Sequence, residues 1–137
     1  MTFAKLFWLL LSIFFLISAY ATVDVQPLNV QLGSSAVTAG SSLSVSWQIR
    51  NNGTTAAGTS NSQIRITNSN ASSGNSTNNV GTPQATGSIG AGATINQSAT
   101  VTVPSTAGTY YVWVIADNNS NLSQTNTSND FAVSSAF

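Results

Sequence analysis

The stretch Gly108–Asp130 reads G-T-Y-Y-V-W-V-I-A-D followed by N-N-S-N-L-S-Q-T-N-T-S-N-D. Its first half concentrates aromatic and β-branched side chains, the types that fit a pleated surface best. Its second half is polar, with Leu122 as its single large apolar residue. A short apolar run bounded by Gly108 and an Asn-rich loop predicts a central strand of an all-β domain. Both parities of that strand are apolar: Tyr110, Val112, Val114 and Ala116 on one face, Tyr111, Trp113 and Ile115 on the other. With the first set lining a core, the second either lies under neighbouring strands and the 67–83 segment or forms an outward contact patch. Tyr110 heads the strand where sandwich domains place a tyrosine corner, so its hydroxyl requires a backbone partner.

Working outward, residues 1–21 read as a leader that precedes one domain, residues 22–137. Lys5 supplies the positive charge, Leu6 to Ile17 is almost wholly apolar, and Ala19-Tyr20-Ala21 forms an A-x-A cleavage signature. This predicts an apolar leader helix acting as a signal peptide, with a mature start at Thr22. The run is short for a membrane span, which needs about 20 residues, and a retained anchor is the alternative. The expected localisation is secreted or at the cell surface, with membrane contact only through an uncleaved leader.

Beyond the leader the charged side chains are Asp24, Arg50, Arg65, Asp117 and Asp130. No basic patch can be built from two arginines, which excludes nucleic acid as a partner. Polarity comes from Ser, Thr, Asn and Gln, which hydrate a surface without long-range repulsion and let like copies approach. The chain contains no cysteine, so an exported domain must be held by its core alone.

Along the chain, Val23 and Val25 alternate with polar residues, and the alternation resumes past Pro27 at Leu28, Val30 and Leu32. Pro27 cannot donate to a ladder, so this is an edge strand or one broken in two. A turn at Gly40 precedes the cleanest alternation: Leu43, Val45, Trp47 and Ile49 inward, Ser44, Ser46, Gln48 and Arg50 outward. Asn51-Asn52-Gly53 ends it in a turn. Ile64 and Ile66 mark a short third strand. The 67–83 stretch reads as a flexible inter-sheet loop with a weak strand near Val80. Gln84–Ile89 forms another short strand. Ile95, Gln97, Ala99, Val101 and Val103 alternate with polar neighbours until Pro104. The final strand puts Phe131, Val133 and Phe137 on one face. About seven short strands without a helix after the leader predict an immunoglobulin-like antiparallel β-sandwich.

The order of these phrases resembles a known family. V-T-A-G-S-S-L-S-V-S-W-Q-I-R-N-N-G-T-T-A-A-G, then S-I-G-A-G-A-T, then A-G-T-Y-Y-V-W-V-I-A-D, are similar to the bacterial cell-adhesion-related domain, CARDB, over about residues 23–134. The resemblance implies a seven-stranded sandwich used in surface adhesion or as a spacer. The family pattern closes on E-S-N-E-x-N-N. Here that segment reads Gln124-Thr125-Asn126-Thr127-Ser128-Asn129-Asp130, with both acidic positions neutral.

The chain has no histidine or cysteine, and its one lysine lies in the leader. Catalysis needs an acid, a base and a stabiliser in mutual placement, so no enzyme and no catalytic residue is expected. No organic cofactor is expected either. The nearest approach to a metal site is a weak calcium candidate, Asp117, Asn119 and Asp130, set against an Asx-rich turn that satisfies its own backbone. Seven N-x-S/T sequons, at Asn52, Asn70, Asn75, Asn96, Asn118, Asn121 and Asn126, are glycosylation candidates. Tyr111, Trp113 and Ile115 are the interface candidates. These features predict a secreted, non-enzymatic structural or adhesive module, the self-assembling subunit of an extracellular filament or surface layer. Its partners are then further copies of itself or other surface proteins. One route is exchange of Thr22–Leu32 with a neighbour's sheet; pairing within the domain is the alternative. The alternative function is a monomeric binding module for carbohydrate, peptide or a surface protein.

Overall fold

The strictest alternation in the chain becomes its most regular strand. β2, Ser42–Asn51, buries Leu43, Val45, Trp47 and Ile49 and turns its serines to solvent. Each such burial contributes about 1.5–3 kcal/mol before ordering entropy is subtracted. The computed structural model describes residues 20–137, and the expected leader helix falls outside them. Around β2 stand β1 (Val25–Leu32), β3 (Ser60–Thr67), β4 (Asn79–Thr86), β5 (Thr94–Thr102), β6 (Tyr111–Ile115) and β7 (Phe131–Ala136). Among the described residues the one helical element is a 3-10 turn, Ser76–Asn78, and no helix is long and apolar enough to cross a membrane.

The strands form two antiparallel sheets, ordered β1-β2-β5 and β4-β3-β6-β7. Their facing sides bury Val25, Leu43, Val45, Trp47, Ile49, Ile64, Ile66, Val101, Val112 and Val114 in one core. This is the expected sandwich. The first strand pairs with β2 of its own chain, Val25 opposite Asn51 and Leu32 opposite Val45. It is an edge strand, as Pro27 requires.

Polar residues tie the open sides of the sandwich. Between β5 and β4, Gln97 Oε1 accepts the Trp47 indole N–H at 3.0 Å and the Ser62 hydroxyl at 2.9 Å. Its Nε2 donates to the Ala85 carbonyl at 2.9 Å. Below β2, the buried Asn51 donates to Thr55 O and Ile89 O and accepts from Gly53 N. Gly53 itself is a packing requirement, because a Cβ there would stand 2.3 Å from Thr22 O. At the other end, the Tyr110 hydroxyl donates to Thr106 O at 3.0 Å, which is the expected tyrosine corner.

Three edge strands are irregular. β1 carries an extra residue between Leu28 and Gln31, with Asn29 at positive φ. β4 is interrupted around Gly81 and Pro83, and Gln63 Nε2 fills the gap by donating to Val80 O. β7 bulges at Ser134, whose Oγ accepts the Val112 N–H at 3.0 Å.

These irregularities account for two corrections. The residues before β4, expected as an inter-sheet loop, connect two strands of one sheet, and the weak strand expected near Val80 and the separate Gln84–Ile89 strand prove to be one strand, β4, paired along β3. Its inward positions are Val80, Gln84 and Thr86, opposite Ile64, Ser62 and Ser60, so there is almost no apolar alternation to read. Ile89 reaches the core alone, bridged to Ala57. In β7 the extra residue reverses parity: Phe131 and Val133 face outward, whereas Phe137 turns in against Tyr110, ring centroids 6.1 Å apart.

Candidate functional site

Two regions gather the candidate residues, and both grow out of β6. The first is the loop from Asp117 to Asp130. Asp117 adopts positive φ at the strand end and caps the turn that follows. Its Oδ1 accepts Asn121 N at 3.0 Å and its Oδ2 accepts Leu122 N at 3.1 Å. Leu122 is thereby drawn against the core. The structure brings Asp117 and Asp130 together but directs Asn119 elsewhere, where its Oδ1 accepts Asn61 N at 3.1 Å. Among the described residues no cluster of three or more His, Cys, Asp or Glu side chains could hold a metal ion.

The residue that joins the two aspartates is Gln124. Its Nε2 lies 3.1 Å from both Asp130 oxygens and 3.4 Å from Asp117 Oδ2, and its Oε1 accepts the Val25 N–H at 2.7 Å. Thr125 N adds a bond to Val23 O at 2.9 Å, so this loop fastens β1 to the end of the other sheet. Asp24 approaches from the N-terminal segment and accepts Asn129 Nδ2 at 3.0 Å. Burial pushes the Asp130 carboxyl up to about 6, opposed by the Gln124 hydrogen bond and reinforced by repulsion from Asp117 and Asp24. The loop roofs an open cleft of about 500 Å³ that includes Arg65, Ile115, Asn118 and Phe131. Sequence reading singled out the aspartates and missed the structural part of Gln124. The available signal was its place at an acidic position of the resembling pattern.

The second region is the outer face of the four-stranded sheet. Trp113 sits between Arg65 on β3 and Val133 on β7. Its indole N–H is shared by Thr67 Oγ1 and Ser69 O, both at 3.1 Å, so the segment after β3 covers its polar edge. Arg65 holds that segment in turn, donating to Asn79 Oδ1 at 2.9 Å and Gly74 O at 3.2 Å. Tyr111 and Trp113 are half-buried. Ile115, expected in the outward patch, is 5% exposed, because it lies between Gln63 and Phe131 on the floor of the cleft. The open apolar surface lies one strand over, at Phe131 (43%) and Val133 (38%).

The sequon asparagines are dispersed. Asn52, Asn70, Asn75, Asn96, Asn121 and Asn126 are exposed, whereas Asn118 is half-buried and its Oδ1 lies 3.5 Å from Arg65 Nη2. Asn75 is engaged locally, capping the 3-10 turn through Thr77 N.

A CARDB family model matches residues 22–134. Among solved structures the chain is similar to the CARDB domain of a Pyrococcus furiosus protein, crystallised in complex with di-metal ions. The TM-score is 0.63 at 13% identity, over 85% of this chain and 93% of that one. The solution NMR structure of that domain gives 0.54 at 14% identity, over 83% and 93%. β-Glucosidase 3B from Thermotoga neapolitana, in complex with α-D-glucose, gives 0.53 at 17% identity, over 84% of this chain and 17% of its own. At these identities the likeness is one of fold. A comparison with curated proteins finds no match. The matched region spans all seven strands, from ahead of β1 to within β7, and the chain belongs to the CARDB family of immunoglobulin-like domains.

Proposed function

We propose that the domain works outside the cell as a non-enzymatic structural or adhesive module, and that copies of it associate into a filament or surface layer. The observation that carries this reading is the outward apolar stripe on an edge strand. Phe131 and Val133 are left open beside the half-buried Trp113, and from residue 22 onward no other large apolar side chain is as exposed. Apolar atoms grouped in this way on a hydrophilic protein favour contact with another surface. The near-absence of charge removes the repulsion that keeps most secreted domains apart. The polar chemistry supports no reaction. The three aspartates beyond the leader are engaged by backbone or amide N–H groups, and there is no histidine or cysteine to act as base or nucleophile.

The apolar leader supports export, and the exposed sequons would be accessible to modification in a host that glycosylates. The half-exposed Tyr111 and Trp113 rings support the second reading, a monomeric module that binds carbohydrate, peptide or a surface protein. Electron microscopy and sedimentation of the secreted material, wild type beside the double variant Phe131→Ser, Val133→Thr, separate the two. Assemblies that disappear in the double variant, with its β-sheet circular dichroism retained, support the first. A wild type that remains monomeric at high concentration overturns it in favour of the second.

A further inference from the structure

We propose that the side-chain amide of Gln124 takes the place of a bridging cation in the 117–130 loop, so that this domain closes the end of its sandwich without metal. The orientation of the amide follows from its surroundings. Val25 is fully buried, and its backbone N–H takes Gln124 Oε1 as acceptor at 2.7 Å. An unpaired buried N–H is costly, so the oxygen must face β1 and the NH₂ must face the carboxylates. That NH₂ stands within 3.1 Å of both Asp130 oxygens and 3.4 Å of Asp117 Oδ2, the position a cation bridging the pair would take. Asn129 repeats the arrangement at the third carboxylate, donating through Nδ2 to Asp24 Oδ1 at 3.0 Å while its own buried Oδ1 has no partner.

The donor set is correspondingly poor for calcium, which takes six to eight oxygens. Both Asp117 oxygens already accept backbone N–H groups from Asn121 and Leu122. Gln124 presents nitrogen instead of oxygen to the gap. A cation would have to displace the amide and strip Val25 of its acceptor. The loop therefore reaches, with one uncharged side chain, the closure that a bound ion would otherwise supply: two aspartates bridged, and the start of β1 pinned to the opposite sheet.

The test uses thermal unfolding of the protein as isolated, in EDTA and in millimolar CaCl₂ or MnCl₂, for the wild type, Gln124→Ala and Gln124→Glu. The wild type is expected to melt at the same temperature in all three solutions. Gln124→Ala should lose roughly 3–6 °C whatever the metal. Gln124→Glu, which adds a carboxylate beside Asp117 and Asp130, should lose at least as much in EDTA and recover it in CaCl₂. A wild type stabilised by either metal overturns the proposal, as does a Gln124→Ala variant that melts like wild type. A Gln124→Glu variant that calcium leaves unmoved also overturns it. If Gln124→Glu does not fold, the wild-type and alanine arms decide between the outcomes.

Discussion

Replacing Asp130 with Asn should remove a pH dependence of stability that the wild type carries. Asp130 is 9% exposed, and its carboxyl is raised from 3.8 to about 6. Burial is the largest cause, the Gln124 bond works against it, and Asp117 and Asp24 add repulsion. Arg65 lines the same cleft but bonds to Asn79, Gly74 and Asn118 instead. A carboxyl that holds its proton more tightly folded than unfolded stabilises the fold most when protonated. Its contribution is complete below about pH 4 and is lost as pH rises through about 6. At 1.36 kcal/mol per unit the ceiling on that loss is about 3 kcal/mol. The cleft is open to solvent, which screens the carboxylate and brings the expected loss to about 1–2 kcal/mol.

Urea unfolding followed by tryptophan fluorescence, from pH 4.5 to 8 at fixed ionic strength, reads this directly. The wild-type midpoint should fall across the range. Asp130→Asn should be flat and should exceed wild type at pH 8. A wild type that gains stability with pH, or an Asn variant that keeps the wild-type slope, refutes the reasoning.

Three further substitutions probe other parts of the frame by the same unfolding measurement. Gln97→Leu strands the Trp47 indole N–H between the sheets and leaves the Ser62 hydroxyl with Thr86 Oγ1 alone, and should cost about 1–3 kcal/mol. A cost under about 0.5 kcal/mol would mean that those groups find partners elsewhere. Tyr110→Phe removes only the bond to Thr106 O and keeps the ring against Phe137, so about 1 kcal/mol is expected. Gly53→Ala forces a methyl group onto the Thr22 carbonyl and should loosen the N-terminal segment. Faster hydrogen exchange at Thr55 N, which donates to Thr22 O, is the reading that checks it.

Apolar rhythm was the legible part of the sequence. β2 declared its register through Leu43, Val45, Trp47 and Ile49, and β6 its inward face through Val112 and Val114, because burial leaves a period of two. Tyr110 and Asn51-Asn52-Gly53 were legible as local chemistry. What stayed hidden was structure made from polar side chains. β4 pairs along β3 with Gln84 and Thr86 inward, and that pattern matches a loop in composition. Gln97 and Gln124 are unremarkable as letters, yet each joins two sheets, through contacts between residues far apart in the chain. Ile115 belongs by parity to the outward set and is buried only because the cleft forms over it. The parity of β7 could not be read without the bulge at Ser134, whose hydroxyl stands in for a missing ladder acceptor.

The bulges in β1, β4 and β7 bear on how such a molecule stays dispersed before it meets a partner. Many β-proteins stud their sheet margins with lysine so that strays repel. A chain with so little charge has no such fence, and here crookedness replaces it: each interrupted margin offers a newcomer a ladder with a missing rung. Joining of copies along those three margins is thereby disfavoured, which leaves the regular β5 margin and the sheet faces. Salt, which collapses a fence of charge, should leave this one standing.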